Sequence, residues 1–279
     1  HELDYTFVTK QLNISVSTIR GMEEQGILVV ETSRHYRNPI SHLSQTDRKH
    51  PLNESQSRVV ETITADIKAG ICKTYLLQGV TGSGKTEVYM ELIARTLEKN
   101  RQAIVLIPEI ALTYQTVMRF YNRFGDKVSI MNSRLSPGER YDQFERAKAG
   151  DIAIMIGPRS ALFTPFSRLG LIIIDEEHEN SYKSETAPRY HARDVAVMRA
   201  KMNNASVVLG SATPSVDSYY QAMQGNYTLL KMTERVEHKP LPQCEIIDMR
   251  QELKRGNRSI FSLRLQELME DRLSKHQQI

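Results

Sequence analysis

Residues 76–89 read LLQGVTGSGKTEVY, an aliphatic run that breaks into glycines and then into a lysine and a threonine. Gly79, Gly84, Lys85 and Thr86 stand in the G-x-x-x-x-G-K-[ST] spacing. Its glycines let the backbone from Gly79 through Val80, Thr81, Gly82, Ser83 and Gly84 turn tightly enough for N–H groups to surround phosphate oxygens. Lys85 reaches the β and γ phosphates, and the Thr86 hydroxyl ligates Mg²⁺. A helix beginning there adds its positive end. The bland reading is a glycine-rich turn with an exposed lysine; the place between an apolar run and a helical pattern favours the phosphate cradle.

Working outward, apolar runs of strand length alternate with amphipathic segments. TYLLQGV, AIVLIPE, KVSIMNS, IAIMIG, LGLIIID and SVVLGSA read as strands. Between and after them YMELIARTLEK, ALTYQTVMRFYNRF, ERYDQFERAKAG, ARDVAVMRAKMN and SVDSYYQAMQG read as helices. Continuously aliphatic strands separated by helices predict an α/β domain whose parallel sheet is covered by helices on both faces.

A second decisive stretch is LGLIIIDEEHENSY, from Leu169 to Tyr182. A buried strand ending in Asp175, Glu176, Glu177 and His178 calls for a charge to oppose them. At the ligand-binding edge of a parallel sheet, Asp175 is placed to share Mg²⁺ with Thr86, and Glu176 to polarise the water that attacks the γ phosphate. The alternative is a solvated acidic strand end; Glu177 has no assigned role. LGSATPS brings Ser211, Ala212 and Thr213 to the same edge, where hydroxyls taken alone read as caps for the helix after Pro214.

Bulk properties exclude little. The chain has 279 residues, 40% of them hydrophobic and 25% charged, with a net charge of +4, which permits nucleic-acid binding without requiring it. No run is long and apolar enough to span a membrane, so the expected setting is soluble and cytoplasmic, with two reduced thiols. Cys72 and Cys244 lack the neighbours of a zinc site or a disulfide framework. The chain starts on His1 without a targeting segment and stops within a helical pattern, which reads as a piece of something longer.

The first fifty residues follow different rules. FVTKQLNIS and SVSTIRGMEEQGI predict two short helices, the second capped by Ser15 or Ser17 and closed by Gly26; ILVVE reads as a strand and TSRHYRNP as a basic turn. That order fits a partial winged helix over 1–40, and equally a helical hairpin packed on its neighbour. Residues 41–51 read as a linker, 52–250 as the α/β lobe and 251–279 as a C-terminal helix.

The P-loop, the D-E-x-H run and Ser-Ala-Thr, in this order on these strands, resemble superfamily 2 helicases. LNESQ, LIPEIALT, IGPRSALF and RYHARDVAVMRA narrow the resemblance to the primosomal replication-restart helicases. The resemblance implies a RecA-like first lobe and an ATP- and Mg²⁺-dependent 3′ to 5′ DNA helicase that remodels abandoned forks for primosome assembly. It makes Gln56 an adenine reader and has His178 couple hydrolysis to strand movement together with Ser211, Ala212 and Thr213. Pro108, Glu109, Thr113, Gly157, Arg159 and Ser160 become contacts to the DNA backbone. Tyr182, Lys183 and Arg189 fall in an aromatic-rich loop, 179–193, that senses DNA; taken without the resemblance, the same segment reads as an ordinary exposed loop.

Partners implied are single-stranded and forked DNA, single-stranded DNA-binding protein and primosome components, in the bacterial nucleoid. Zinc is implied for the full-length family but not for this chain, which also lacks a second lobe bearing an arginine finger; weak hydrolysis is therefore expected of it alone. A superfamily 2 duplex-DNA translocase in recombination or repair is the nearest alternative, and a winged-helix regulator with a nucleotide sensor a more distant one.

Overall fold

The computed structural model describes residues 3, 5, 7–30, 51–235 and 243–279. The chain divides into two compact units, His1–Val236 and Glu237–Ile279.

At the start of the first unit, Phe7–Gln11 forms a π-helical turn and α1 spans Val16–Glu24. Ser15 caps α1 by accepting the Thr18 N–H, and Gly26 (φ +70°) ends it in the left-handed region that a glycine tolerates best. The expected strand ILVVE is not found: Ile27–Val30 is irregular, and Ile27 and Val29 are exposed. Aliphatic residues form a strand only when a neighbouring strand takes up their backbone groups; here the Ile27 N–H returns to Met22 O at 3.0 Å and the Val30 N–H to Glu23 Oε1 at 3.3 Å, so both are spent on α1. The basic turn 32–39 and almost all of the expected linker 41–51 lie outside the described residues.

The next helix, α2 (Glu54–Lys68), begins with a reciprocal capping box between Asn53 and Gln56. Then come β1 (Thr74–Gly79), α3 (Lys85–Glu98), β2 (Gln102–Leu106), α4 (Tyr114–Phe124), β3 (Val128–Ile130), α5 (Pro137–Ala149), β4 (Ile154–Gly157), β5 (Leu169–Asp175), α6 (Ala192–Asn203), β6 (Ser206–Ser211), α7 (Val216–Met223) and β7 (Thr228–Met232). The strands form one sheet in the order β3-β4-β2-β5-β6-β1-β7, with every neighbouring pair parallel. The expected α/β architecture is thus observed.

Successive strand residues enter opposite cores. Leu171 and Ile173 of β5 pack with Val59, Ile63, Leu92 and Phe120 from α2, α3 and α4, while Ile172 and Ile174 pack with Ala147, Ala196 and Ala200 from α5 and α6. Burial of such side chains stabilises the fold by about 1.5–3 kcal/mol each. Alanines at 192, 196 and 200 form the inward stripe of α6, small enough to let the helix lie close on the sheet.

The second unit contains α8 (Met249–Lys254) and α9 (Leu263–Ser274). The single C-terminal helix expected over 251–279 is therefore two. Gly256 at φ +92° breaks the first, and Ser262 caps the second. The buried Glu252 joins them by accepting from Leu263 N–H at 2.8 Å and from the Asn257 side-chain amide at 2.9 Å. The division after Val236 falls earlier than the expected boundary at 250, because the sheet is complete once β7 is added.

Candidate active site

The loop from Gly79 to Lys85 closes between β1 and α3. Gly82 (φ +79°) and Gly84 (φ +81°) take the left-handed conformation, and a Cβ at Gly79 would lie 2.6 Å from Ser83 Oγ. A glycine-rich turn of this form at the head of a helix suits an anion; of its N–H groups, that of Ser83 donates to Val80 O at 2.9 Å. The Lys85 ammonium donates to Gly79 O at 3.1 Å and lies 3.6 Å from Glu176 Oε1, whereas Ser83 Oγ is buried without a partner. Val80 N–H donates to Met232 O at 3.1 Å, so β7, absent from the expected strands, supports the loop from outside. Gln56 is 3% exposed; its Nε2 donates to Ser83 O at 3.0 Å and its Oε1 accepts from Asn53 N–H at 2.9 Å. Its amide therefore ties α2 to the loop, and reading a base would require giving up one of these bonds.

β5 delivers Asp175 beside this loop. The Tyr89 hydroxyl donates to Asp175 Oδ1 at 2.9 Å, and the Tyr182 hydroxyl to Asp175 O at 2.6 Å. Burial, reinforced by the Glu176 charge, pushes the Asp175 carboxyl above its ordinary range, while Tyr89 and Lys85 pull it down. Tyr89 escaped the sequence reading, although it lies one turn beyond Lys85 on α3 and so shares its face. A Cβ at Gly210 of β6 would overlap the Tyr89 hydroxyl, so a glycine is what admits the ring.

Glu176 takes φ +47°, and its carboxylate lies between Lys85 and His178 Nδ1, the latter at 3.7 Å. His178 Nδ1 is 2.8 Å from Ser211 Oγ, which also accepts the Thr213 N–H at 2.9 Å. Ser211 and Thr213 are not caps: Ser215 caps α7. The structure brings Lys85, Asp175, Glu176, His178 and Ser211 together, with Ala212 and Thr213 following on the same strand end. It also gives Glu177 a place. Its side chain is fully buried and accepts from Ser215 N–H (2.7 Å), the Ser215 hydroxyl (3.1 Å) and the Ser218 hydroxyl (2.7 Å), with the Arg193 guanidinium 3.5 Å away.

A groove of about 270 Å³ joins the two other predicted segments, with Pro108, Glu109, Arg159, Ser160 and Tyr182 among its lining residues. Arg140, which the sequence reading missed, also lines it and donates to Ser133 O (3.0 Å) and Leu135 O (3.1 Å). Arg159 is engaged within the protein, donating to Ser181 O at 2.9 Å and Lys183 O at 2.8 Å. Thr113 caps α4, and Gly157 is buried where a Cβ would overlap Met131 O; neither is among the groove's lining residues.

Tyr182 is enclosed, unlike a residue of an exposed loop. It is 1% exposed, its ring belongs to the core beneath α6 and its hydroxyl is held by Asp175. Lys183 and His191 close the base of the following loop as an antiparallel bridge, and a cavity of about 460 Å³ is lined by Lys183, Arg189 and Tyr190 among others. Burial, with the nearby Arg193 charge, lowers the His191 pKa; its Nδ1 accepts the Arg193 N–H and caps α6.

The residues present fit a Mg²⁺–nucleotide. The loop is a cradle narrowed to glycine at Gly79, with a buried hydroxyl lacking a partner at Ser83, and the Thr86 hydroxyl at the head of α3 and the Asp175 carboxylate at the end of β5 are the side chains that would offer oxygen to the ion. Mg²⁺ takes only one or two protein ligands beside phosphates and water. No group of three or more His, Cys, Asp or Glu side chains suited to a metal occurs among the described residues, and no helix among them is long and apolar enough to cross a membrane.

Comparison with known proteins identifies the family. The model of the DEAD/DEAH box helicase family matches residues 53–222. The replication restart protein PriA of Bacillus subtilis is 44% identical over 270 residues, covering 96% of this chain and 34% of its own length. Its namesake in a Synechocystis species is 42% identical over 96% of this chain and 33% of its own. The chain thus spans about a third of the length of the curated relatives it matches. Among solved structures, RecG bound to a three-way DNA junction superposes with a TM-score of 0.52 at 23% identity, over 68% of this chain and 25% of that one; this likeness concerns the fold.

Proposed function

The chain belongs to the DEAD/DEAH box helicase family, and from that premise we propose that it is the first, ATP-binding motor lobe of a 3′ to 5′ DNA helicase acting in replication restart. The carrying observation is the convergence on one strand edge of Lys85, Asp175 and Glu176, with Lys85 Nζ 3.6 Å from Glu176 Oε1. With nucleotide bound, Lys85 would meet the terminal phosphate, Thr86 and Asp175 would hold the Mg²⁺ that neutralises phosphate charge, and Glu176 would orient the attacking water. His178 and Ser211 carry the change at the phosphate to Ala212 and Thr213, which follow the end of β6. Identity to proteins named for replication restart supports the cellular role.

Single-stranded DNA lies along the groove of Pro108, Glu109, Arg159 and Ser160, with Thr113 and Gly157 shaping the backbone around it and Lys183 and Arg189 offering cations from the separate cavity of the following loop. Contacts to phosphate make such binding independent of sequence and sensitive to salt. Forked DNA, single-stranded DNA-binding protein and primosome components are the proposed partners of the full-length protein, the bacterial nucleoid its setting, and residues 1–40 a partial winged helix. By itself the chain hydrolyses ATP slowly, because an arginine finger from a second lobe is worth roughly 10³ to 10⁵ in rate in related NTPases.

Glu176→Gln in the full-length protein tests the reading: ATP binding persists while hydrolysis and strand separation are lost. Full hydrolysis by that variant refutes the assignment, and rapid DNA-stimulated turnover by this chain refutes the need for a second lobe.

A further inference from the structure

Two adjacent glutamates leave the strand end toward different surroundings. Glu176 is partly exposed between Lys85 and His178, while Glu177 is fully enclosed. A buried carboxylate is tolerated only when hydrogen bonds and a counter-charge satisfy it, and apolar packing holds a turn together as firmly. What the charged arrangement adds is direction, since each donor to Glu177 comes from a specified place. Ser215 N–H and Oγ belong to the segment that follows Ser211–Thr213; Ser218 lies in the first turn of α7; Arg193 is the second residue of α6. Arg193 repeats the connection, donating to Ser215 Oγ at 3.0 Å and Ser218 Oγ at 2.9 Å.

The cluster has a further property. The segment 179–191 leaves the carboxylate turn two residues after Glu177 and re-enters the fold two residues before Arg193. One ion pair thus fixes both ends of a segment that carries Ser181 and Tyr182 on the groove and Lys183 and Arg189 on the second cavity. The turn itself needs restraint, because Glu176 holds a left-handed backbone that non-glycine residues adopt at a cost. Glu177 N–H donates to Gly210 O at 3.0 Å and Glu179 N–H to Glu176 O at 2.9 Å, so the backbone bonds that hold this conformation flank the buried side chain.

We propose that Glu177 and Arg193 are a positioning pair. They hold the turn in the form that aims Glu176 at Lys85 and His178 at Ser211, and they anchor both ends of segment 179–191. The role in aiming Glu176 rests on the ATP-site reading; the anchoring does not.

The test uses the whole chain with Glu177→Gln and, separately, Arg193→Gln and Arg193→Lys. Limited trypsin digestion, resolved by mass spectrometry, compares cleavage after Lys183 and Arg189 with cleavage elsewhere, and a fluorescent ATP analogue reports binding with and without Mg²⁺. Cleavage after Lys183 and Arg189 is expected to accelerate about tenfold or more in Glu177→Gln and Arg193→Gln, with other sites within about twofold. Arg193→Lys, which keeps the charge without the planar fork, is expected between parent and Arg193→Gln. Nucleotide affinity with and without Mg²⁺ should be unchanged, because Glu176 serves hydrolysis rather than binding, while hydrolysis by the full-length protein should fall about tenfold in both glutamine variants; hydrolysis at the parent rate overturns the aiming of Glu176. Unaltered cleavage at the two sites, or equal acceleration at every site, overturns the proposal. A parent chain that fails to bind the analogue refutes the ATP-site reading, while the trypsin result still decides the anchoring.

Discussion

Replacing Tyr89 by Phe removes one oxygen, the atom of the buried side chain nearest Gly210, and leaves the packing of the ring carbons in place. The lost group is the donor to Asp175 Oδ1 at 2.9 Å. A hydrogen bond to a charged group contributes about 1.5–3 kcal/mol, which for a domain of this size is a fall in melting temperature of about 3–9 °C. The sign of its pH dependence follows from Asp175, whose carboxyl is raised, chiefly by burial. A carboxyl raised in the folded state binds more protons there than when unfolded, so its stability contribution is fully present below the unfolded value of about 3.9 and is lost as pH rises through the folded value. The tyrosine lowers that folded value, and its removal raises it further. The deficit of Tyr89→Phe must therefore be larger at pH 7.5 than at pH 4, shrinking toward about half as Asp175 takes up its proton, because a neutral carboxyl accepts a bond worth only about 0.5–1.5 kcal/mol. Thermal denaturation of parent and variant at the two pH values measures it. A deficit equal at both, or below about 0.5 kcal/mol at pH 7.5, refutes the claim that Tyr89 acts through the charge of Asp175.

Gly210→Ala drives a Cβ into the Tyr89 hydroxyl, and overpacking plus the displaced hydrogen bond should cost about 3 kcal/mol or more in a urea titration. Lys85→Ala should leave the melting temperature within a few degrees of the parent and abolish binding of a fluorescent ATP analogue at micromolar concentration. Arg159→Ala, freed from the carbonyls of Ser181 and Lys183, should weaken binding of a single-stranded oligonucleotide and reduce the slope of log affinity against log salt by about 0.7 for each phosphate that is no longer neutralised; an unchanged slope means that the arginine serves the loop alone. Because burial depresses the His191 pKa, its capping bond contributes fully above about pH 6.5 and is lost as pH falls through the lowered folded value. His191→Asn keeps an acceptor that does not titrate, so it should flatten the stability change between pH 7 and 5 by up to about 1 kcal/mol, read by chemical denaturation.

Residues whose role follows from the chain's own periodicity were legible in the sequence. The P-loop announced itself by spacing, Asp175 by ending an aliphatic run, and α6 was read with its observed limits, Ala192 to Asn203. β7 was not, because TLLKM is only partly buried along most of its length and so lacks the continuous aliphatic signature of the inner strands. The start of α2 was legible in principle from Asn53 and Gln56, a capping box rather than an apolar stripe. Tyr182 was misjudged for a physical reason: an aromatic residue among Lys and Arg looks like a stacking face, yet its hydroxyl finds a partner inside, at Asp175 O. Tyr89 and Glu177 were silent because their partners are distant in sequence, Asp175 for one, Arg193 and Ser215 for the other, and only the sheet order brings them together.

That sheet order explains why the chemistry gathers where it does. β6 lies between β5 and β1, with Asp175 opposite Gly210 on one side and Gln78 opposite Ser211 on the other. The parallel register therefore sets the carboxylate turn, the Ser-Ala-Thr end and the phosphate loop side by side before any side chain is chosen. Glycine at 210 then opens the space through which Tyr89 reaches across from α3 to Asp175, and its carbonyl takes the N–H of Glu177. A slip of one residue in β6 would exchange the faces of all its side chains and direct Ser211 away from His178. The fully aliphatic stretch Val207–Leu209, buried on both faces, permits either facing on hydrophobic grounds alone. It is the glycine at 210, the one residue that accommodates Tyr89, that makes the observed register the one in which the site assembles.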